Sequence, residues 1–218
     1  GVALALSNAK KSTATVNVAV GAAGAVNEIA NETRAAIEAS SAGEAIVTAL
    51  DGVTLSAAST ATIDAFTIAG ASSSTNGGKG QLSVNLAGAA AGSINSVSNV
   101  IEAHITGSRV TSQDGAVTLT ATDAARVHAD AGGVAVAAEL ASNSQTGVAA
   151  SFGAAVSIND VAIASRAVVE GSIVHAVRAI SLAATDSSVI DVLTIAGAGS
   201  AGLGGKGQIG VRLAGAGA

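Results

Sequence analysis

Apolar and polar residues alternate along much of this chain, which is the pattern of β-strands with one buried face. Val117, Leu119 and Ala121 alternate with three threonines, so the two sets are expected on opposite faces. Further segments with this spacing are 53–57, 62–66, 82–86, 126–131 and 180–183, and they place Ile63, Ala65, Val127, Ala129 and Ala131 on inward faces. Because β-branched residues accompany the alternation, we predict a chain built mainly of strands.

Two segments, Arg34–Ser40 and Asp160–Arg166, are rich in Ala, Glu and Arg, which are good helix formers. A short helix or an irregular turn is therefore the alternative there. Since alternation dominates the rest of the chain, we expect strands in these segments as well.

The chain is also a tandem array. Val26–Ile29 returns as Ile94–Val97 and again as Ile158–Val161, at spacings of 68 and 64 residues. A Gly/Ala-rich run precedes each copy, and a second echo follows it: the runs are 21–25, 88–93 and 153–157, and the echoes are 34–37, 102–105 and 166–169. A period of this size is typical of stacked repeat architectures.

The repeats predict one continuous body over residues 1–218 rather than separate domains. Its expected units are a partial repeat at 1–25 and repeats at 26–93, 94–157 and 158–218, as part of a longer chain or filament. A polar turn is expected at Lys10–Thr13, opposite Asn143 and Ser144. Gly77–Gln81 recurs only as Gly204–Gln208, which suggests a superperiod of about 130 residues.

Composition favours an all-β fold, a parallel β-solenoid (β-helix) of tandem repeats about 64–68 residues long. Proline is absent and only two aromatic residues occur among 49% hydrophobic residues, which suits unbroken ladders around a narrow interior of Ala, Val and Ile. Phe66 and Phe152 are expected to point inward, and Gly to mark corners with positive φ. Coils of about 20–30 residues would give two or three per repeat; a propeller is the alternative.

The run Gly153–Val161, followed by Ser165–Val169 and a Val-x-Leu-x-Ala strand, resembles the repeats of very large bacterial surface proteins. These are the leukotoxin-type filamentous adhesins and related haemagglutinin-like or autotransporter chains. The resemblance implies a secreted β-helix used as a shaft or adhesive stalk, and it implies no functional residue. The aromatic residue usual in that motif is replaced by Ala36, His104 and Val168.

No set of residues predicts a catalytic, cofactor or metal site. His104, His128 and His175 share no spacing and are expected as isolated, outward-facing surface residues. Lys79 and Lys206 follow glycines but are themselves followed by Gly, whereas a phosphate-binding loop requires Ser or Thr there. Cysteine is absent, so thiolate sites and disulfides are excluded.

Two polar sets have a structural interpretation. Asn27, Asn95 and Asn159 are expected to satisfy backbone groups at turns, and an asparagine ladder is not expected if coils are much shorter than the repeat. The threonine row beginning at Thr118 raises ice binding as a minor alternative. The corresponding residues include Ala58 and Ala183, so that row is interrupted.

These observations predict a non-catalytic rod or filament segment of a secreted or cell-surface bacterial protein, stacking end to end as a homopolymer or within one chain. The alternative is an adhesin that binds a surface or glycan ligand through its lateral face. A net charge of −5 without a clustered basic face predicts no nucleic-acid partner. Mean hydropathy is high at +0.56, but no uncharged apolar run of about 18 residues occurs, so the chain is expected not to be transmembrane.

Overall fold

The computed structural model describes residues 1–8, 14–40, 43–76, 82–140, 146–202 and 207–218, and within these ranges the regular elements are all β-strands. In chain order they are β1 (Val2–Asn8), β2 (Ala14–Glu38), β3 (Ala45–Ala49), β4 (Val53–Ser59), β5 (Thr62–Asn76), β6 (Leu82–Thr106), β7 (Ser108–Ser112), β8 (Val117–Asp123), β9 (Arg126–Glu139), β10 (Thr146–Glu170), β11 (Ile173–Ala176), β12 (Ile180–Asp186), β13 (Val189–Gly202) and β14 (Gln208–Gly217). Residues 34–38 and 160–166, where a helix was the alternative, lie in β2 and β10. The all-β prediction is confirmed.

The strands form four parallel sheets, and the chain passes from one sheet to the next as it winds. The long sheet has the order β14-β10-β6-β2, and the return sheet has the order β1-β5-β9-β13. Two short sheets, β11-β7-β3 and β12-β8-β4, connect them. Strands of consecutive turns pair directly, which confirms the parallel β-solenoid.

One sequence repeat forms one coil. The chain runs through β2, β3, β4 and β5 before β6 returns beside β2. The expectation of two or three coils per repeat is therefore wrong. The reason is strand length, because β2, β6 and β10 each contain 25 residues and one circuit consumes a whole repeat.

In the half of each coil that contains the short sheets, which we call the base, the interior is packed with branched apolar side chains. Val117, Leu119 and Val127 are fully buried, as the alternation predicts. Val117 and Leu119 pack with Ile101 and Ile105 of β6, and Val127 packs with Val97 of β6. Burial of such side chains contributes about 1.5–3 kcal/mol each. The base therefore holds the conventional hydrophobic core of the protein.

The other half of each coil, which we call the blade, is a two-layer structure without such a core. It comprises residues 1–8, 14–26, 68–76, 82–94, 132–140, 146–158, 195–202 and 208–217 of the long and return sheets. A Cβ added to Gly21 would lie 2.1 Å from the carbonyl oxygen of Gly70, and one added to Gly153 would lie 2.1 Å from that of Gly197. The two backbones thus touch at these glycines, and only small side chains fit between the layers.

The Gly/Ala-rich runs therefore lie inside strands and not at corners, contrary to expectation. The corner glycines with positive φ are Gly43, Gly107 and Gly171, which precede the short strands β3, β7 and β11. The Ser-rich segment 72–76 is also strand, because β5 continues through Asn76. The predicted turn at Lys10–Thr13, its counterpart at Asn143 and Ser144, and most of the Gly-Gly-Lys-Gly segments on which the superperiod rests lie outside the described residues.

Candidate functional site

The recurring asparagines form a ladder through the boundary between blade and base. Asn27, Asn95 and Asn159 occupy equivalent positions in β2, β6 and β10. The Nδ2 of Asn27 donates to Oδ1 of Asn95 at 2.8 Å, and Nδ2 of Asn95 donates to Oδ1 of Asn159 at 2.8 Å. A ladder was not expected, and it exists because the coil is as long as the repeat.

This ladder has a direction, because Asn27 and Asn95 both donate toward the following coil. At the third coil, Nδ2 of Asn159 donates to the hydroxyl of Ser157 at 3.1 Å, and Ser157 lies 2.8 Å from the hydroxyl of Ser93. Side-chain ladders of identical residues stabilise stacked strands in register. The ladder is therefore a stacking device, with no nucleophile or acid among its members.

A second polar cluster closes the corner after β8. Asp123 is buried, and its carboxylate accepts hydrogen bonds from Nδ2 of Asn99 at 3.1 Å, from the backbone N–H of Ala125 at 2.8 Å and from the hydroxyl of Ser188 at 3.2 Å. These donors come from three different strands or corners. A buried carboxylate with such partners holds the chain's turn in place.

The blade interior contains one buried carboxylate, that of Glu139. Its Oε2 accepts hydrogen bonds from the hydroxyl of Ser83 and from Nδ2 of Asn85 at 2.7 Å. Asn85 in turn accepts from Thr75 at 2.9 Å and from Asn17 at 3.2 Å. This network links the two layers near the outer end of the blade. Without it, only contacts between alanines would hold the layers together there.

The prediction that the histidines are isolated, outward-facing surface residues is wrong for His104. It occupies an outward row but is only 7% exposed, because the carboxylates of Glu38 and Glu102 flank its ring. Its Nε2 contacts Glu38, and its Nδ1 lies 3.5 Å from Glu102. Arg34 also contacts Glu102 at 3.5 Å, so the group is a mixed-charge cluster across β2 and β6.

His175 is exposed as expected, and His128 lies in an outward row between two carboxylates. Its ring nitrogens lie 3.4 Å from Asp130 and 3.4 Å from Asp191. Contacts of this kind between partly exposed polar groups contribute at most about 1 kcal/mol. Within the described residues, no group of three or more His, Cys, Asp or Glu residues has the arrangement of a metal site.

Both aromatic residues lie on the outer surface, so the prediction that they point inward is wrong. Phe66 is 74% exposed on the return sheet, and Phe152 is 46% exposed on the long sheet. For Phe152 the physical reason is the closeness of the two layers, which leaves no interior space for a ring beside Gly153. Phe66 lies just outside the blade, at an outward position between the buried residues Ala65 and Thr67. Large side chains along the blade can only point outward.

The outer faces of the blade are almost entirely apolar. On the long-sheet side, the described outward side chains are aliphatic, Gly or Phe, apart from Thr146. On the return-sheet side, Ser72 and Ser74 are the polar exceptions among the outward side chains that are described. Exposed members of these faces include Val16, Val18, Val20, Leu213, Leu4 and Ile195.

Shallow grooves cross the long-sheet face of the blade, where Gly and Ala rows lie between rows of larger residues. One groove of about 390 Å³ lies between Val18 and Phe152 over Gly88. Another of about 350 Å³ lies over Gly92 beside Ile158. Their lining is apolar, so they offer contact area without hydrogen-bonding groups.

Among the described residues, no helix is long and apolar enough to cross a membrane. The outward threonines of β8 stack in register as the sequence predicts, with Ala58 beside Thr122 and Ala183 beside Thr120. The threonine row is therefore interrupted in neighbouring coils.

Comparisons with protein-family models, with curated proteins and with solved structures give no match to this chain.

Proposed function

We propose that this chain is a structural segment of a secreted or cell-surface bacterial fibre, in which coils stack end to end and no reaction is catalysed. The observation that carries the proposal is the in-register stacking of equivalent side chains, above all the Asn27-Asn95-Asn159 ladder. Because Asn27 and Asn95 both donate toward the following coil, a further coil can extend the ladder head to tail. The likeness of the repeats to filamentous adhesins supports the same role.

The end coils present strand edges that fit this role. Among the described strands, β2, β3 and β4 are hydrogen-bonded on one side only, as are β11, β12 and β13 at the other end. Open edges attract further strands unless they are blocked. Each added coil would lengthen the fibre by about 4.8 Å, the spacing of paired strands.

Electron microscopy of the lipid-free protein tests the proposal through a matched pair of variants. Leu182 continues the inward row of Leu55 and Leu119 but is 45% exposed, because no described coil lies above it. Leu182→Lys would place a charge in the stacking interface, whereas Ala183→Lys would place it on the outward side of the same strand. We expect elongated particles for the native chain and for Ala183→Lys, and short particles for Leu182→Lys. Short particles for the native chain at all concentrations would refute end-to-end stacking.

A second candidate function is adhesion through the lateral face, favoured by the surroundings of Phe66. Its exposed ring borders a groove of about 110 Å³ together with Asp130 and Leu193. An aromatic face beside a carboxylate can stack on a sugar ring and accept its hydroxyl hydrogen bonds. On a glycan array, Phe66→Ala should abolish any binding, and Phe152→Ala should leave it unchanged. No binding by the native chain would rule out a glycan ligand.

A further inference from the structure

The blade has the arrangement of side chains opposite to that of a water-soluble sheet pair. Its interior holds Ala, Gly, Ser, Thr and Asn together with the charged side chains of Glu139 and Arg212, whereas Val, Leu, Ile and Phe point outward. Asn85 is fully buried, while its neighbour Leu86 is 38% exposed. Strands that alternate small or polar residues inside with apolar residues outside are typical of sheets surrounded by lipid.

We propose that the blade inserts into the hydrocarbon layer of a lipid bilayer, with the base remaining in water. Both outer faces of the blade are apolar, and they point in opposite directions. A globular partner or a second copy packed on one face would leave the other face exposed to water. Hydrocarbon, in contrast, surrounds the blade and covers both faces at once.

The length of the apolar region fits a bilayer. The blade contains nine residues per return strand and thirteen per long strand, in segments such as 68–76 and 82–94. At about 3.3 Å per residue these span about 30–43 Å. The hydrocarbon layer of a typical bilayer is about 30 Å thick, so the blade can reach through most or all of it.

On both faces, charged outward side chains begin on the base side of the apolar region. On the long sheet the first charged outward row contains Glu28 and Asp160, and on the return sheet it contains Asp130, which lies beside Phe66 and Leu193. Glu28 is seven residues from Gly21 and Phe66 is four residues from Gly70, and these two glycines lie opposite each other, so charge begins about 10 Å nearer the outer end on the return sheet. The return sheet therefore sets the depth of insertion, because a charged side chain is costly inside hydrocarbon.

Backbone hydrogen bonding determines whether single chains or stacked chains can insert stably into the bilayer. Within the sheets, N–H and C=O groups pair with neighbouring coils, but an open strand edge in hydrocarbon leaves several polar groups unpaired at high cost. Stable insertion therefore rests on the end-to-end stacking proposed above, which leaves few open edges per coil. The expectation that the chain is not transmembrane came from run length, a criterion that detects helices and does not detect apolar residues at alternate positions.

Flotation with phosphatidylcholine vesicles tests the proposal directly. We expect the native protein to float with the vesicles, and Leu86→Asp together with Phe152→Asp to lower the floating fraction at least tenfold. Leu50→Asp is the matched control, because Leu50 is 75% exposed but lies in the base next to Asp51. Far-UV circular dichroism verifies that each variant retains its β-structure.

Tryptophan fluorescence gives a second measurement that does not depend on a disruptive variant. The native sequence contains no Trp, so Phe152→Trp and Leu50→Trp each provide a single probe. Vesicles with lipids brominated near the bilayer centre should quench the probe at position 152 at least threefold more than the one at position 50. Equal quenching at both positions would overturn insertion of the blade.

Other results of these experiments distinguish lipid insertion from contact between copies of the chain. Folded native protein that stays in the aqueous fraction overturns the lipid proposal, whether or not it forms long particles. A blue-shifted, concentration-dependent emission of Phe152→Trp without vesicles, combined with no flotation, would show that copies cover each other's faces. Because stacking is measured without lipid, protein that forms long particles but fails to float rejects only the lipid proposal. Protein that floats as short particles rejects stacking and the dependence of insertion on stacking.

Discussion

Asn95 is the residue whose environment depends most directly on coil stacking. It is 1% exposed, and it both accepts from Asn27 and donates to Asn159. Asn95→Ala would leave one donor and one acceptor in partly buried positions without partners, at about 1–3 kcal/mol each. We therefore expect the free energy of unfolding to fall by about 2–6 kcal/mol, seen as a lower urea midpoint with an unchanged m-value.

Asn27→Ala is the matched control for this prediction, because Asn27 makes only the single ladder bond described above and is partly exposed. Its expected cost is about 1 kcal/mol. Equal losses for Asn27→Ala and Asn95→Ala would show that the ladder contributes nothing beyond two independent surface contacts.

The residues that the sequence placed wrongly have two separate causes. Phe66 and Phe152 were expected inside because aromatic rings normally fill cores, and the asparagines were expected at turns because a shorter coil was assumed. Local alternation reports which side chains share a face, but in the blade both alternating sets are small or apolar. The usable signal was size, with Ala, Asn and Gly at one parity and Val or Leu at the other, as in Val16–Val20.

At the scale of elements, the contact between the two layers of the blade is set by glycine. Gly153→Ala would place a Cβ 2.1 Å from the carbonyl oxygen of Gly197, so the layers must separate. Gly88 lies in the adjacent strand β6, where an added Cβ meets no atom within 4 Å. We expect Gly153→Ala to cost about 3 kcal/mol, near the upper end of overpacking effects, and Gly88→Ala to stabilise by about 0.5 kcal/mol.

Thermal or urea unfolding of the two glycine variants measures this difference. Both substitutions add one methyl group to a central part of a long strand, so strand propensity changes equally. Equal stability of the two variants would mean that the layers adjust freely and that their close contact is not required for the fold.

The sequence predicted the strands and their inward faces well in the base, where Val117, Leu119 and Val127 are buried as expected. It did not predict how many coils a repeat contains, because a period-2 pattern identifies a strand and not its partner. In the sequence, each of the three 25-residue strands resembles several shorter strands, because the Gly/Ala-rich run within it resembles a turn. Only the exact recurrence of Asn at each repeat indicated one coil per repeat.

For the whole molecule, long-range pairing predicts slow folding. Each strand pairs with one 61 to 68 residues away in sequence, as in Gly147↔Gln208 and Val2↔Gly70. A mean separation near 64 in a chain of 218 gives a relative contact order of about 0.3, above the range of about 0.16–0.22 for slow all-β domains. We expect refolding from urea, followed by far-UV circular dichroism, to take seconds or longer. Completion within milliseconds would contradict this prediction.

Coupling between coils also predicts how stability depends on their number. In a quasi-one-dimensional stack, stability is the sum of terms within coils and terms between neighbours, and a coil inserted in the middle adds one of each. Inserting a second copy of residues 82–145 after position 145 would add one coil with its own β6–β9 and one further asparagine to the ladder. We expect a higher urea midpoint and a larger m-value, because more surface becomes exposed in one cooperative transition. Two separate transitions, or an unchanged midpoint, would mean that coils fold independently, and the ladder could then not hold a fibre together.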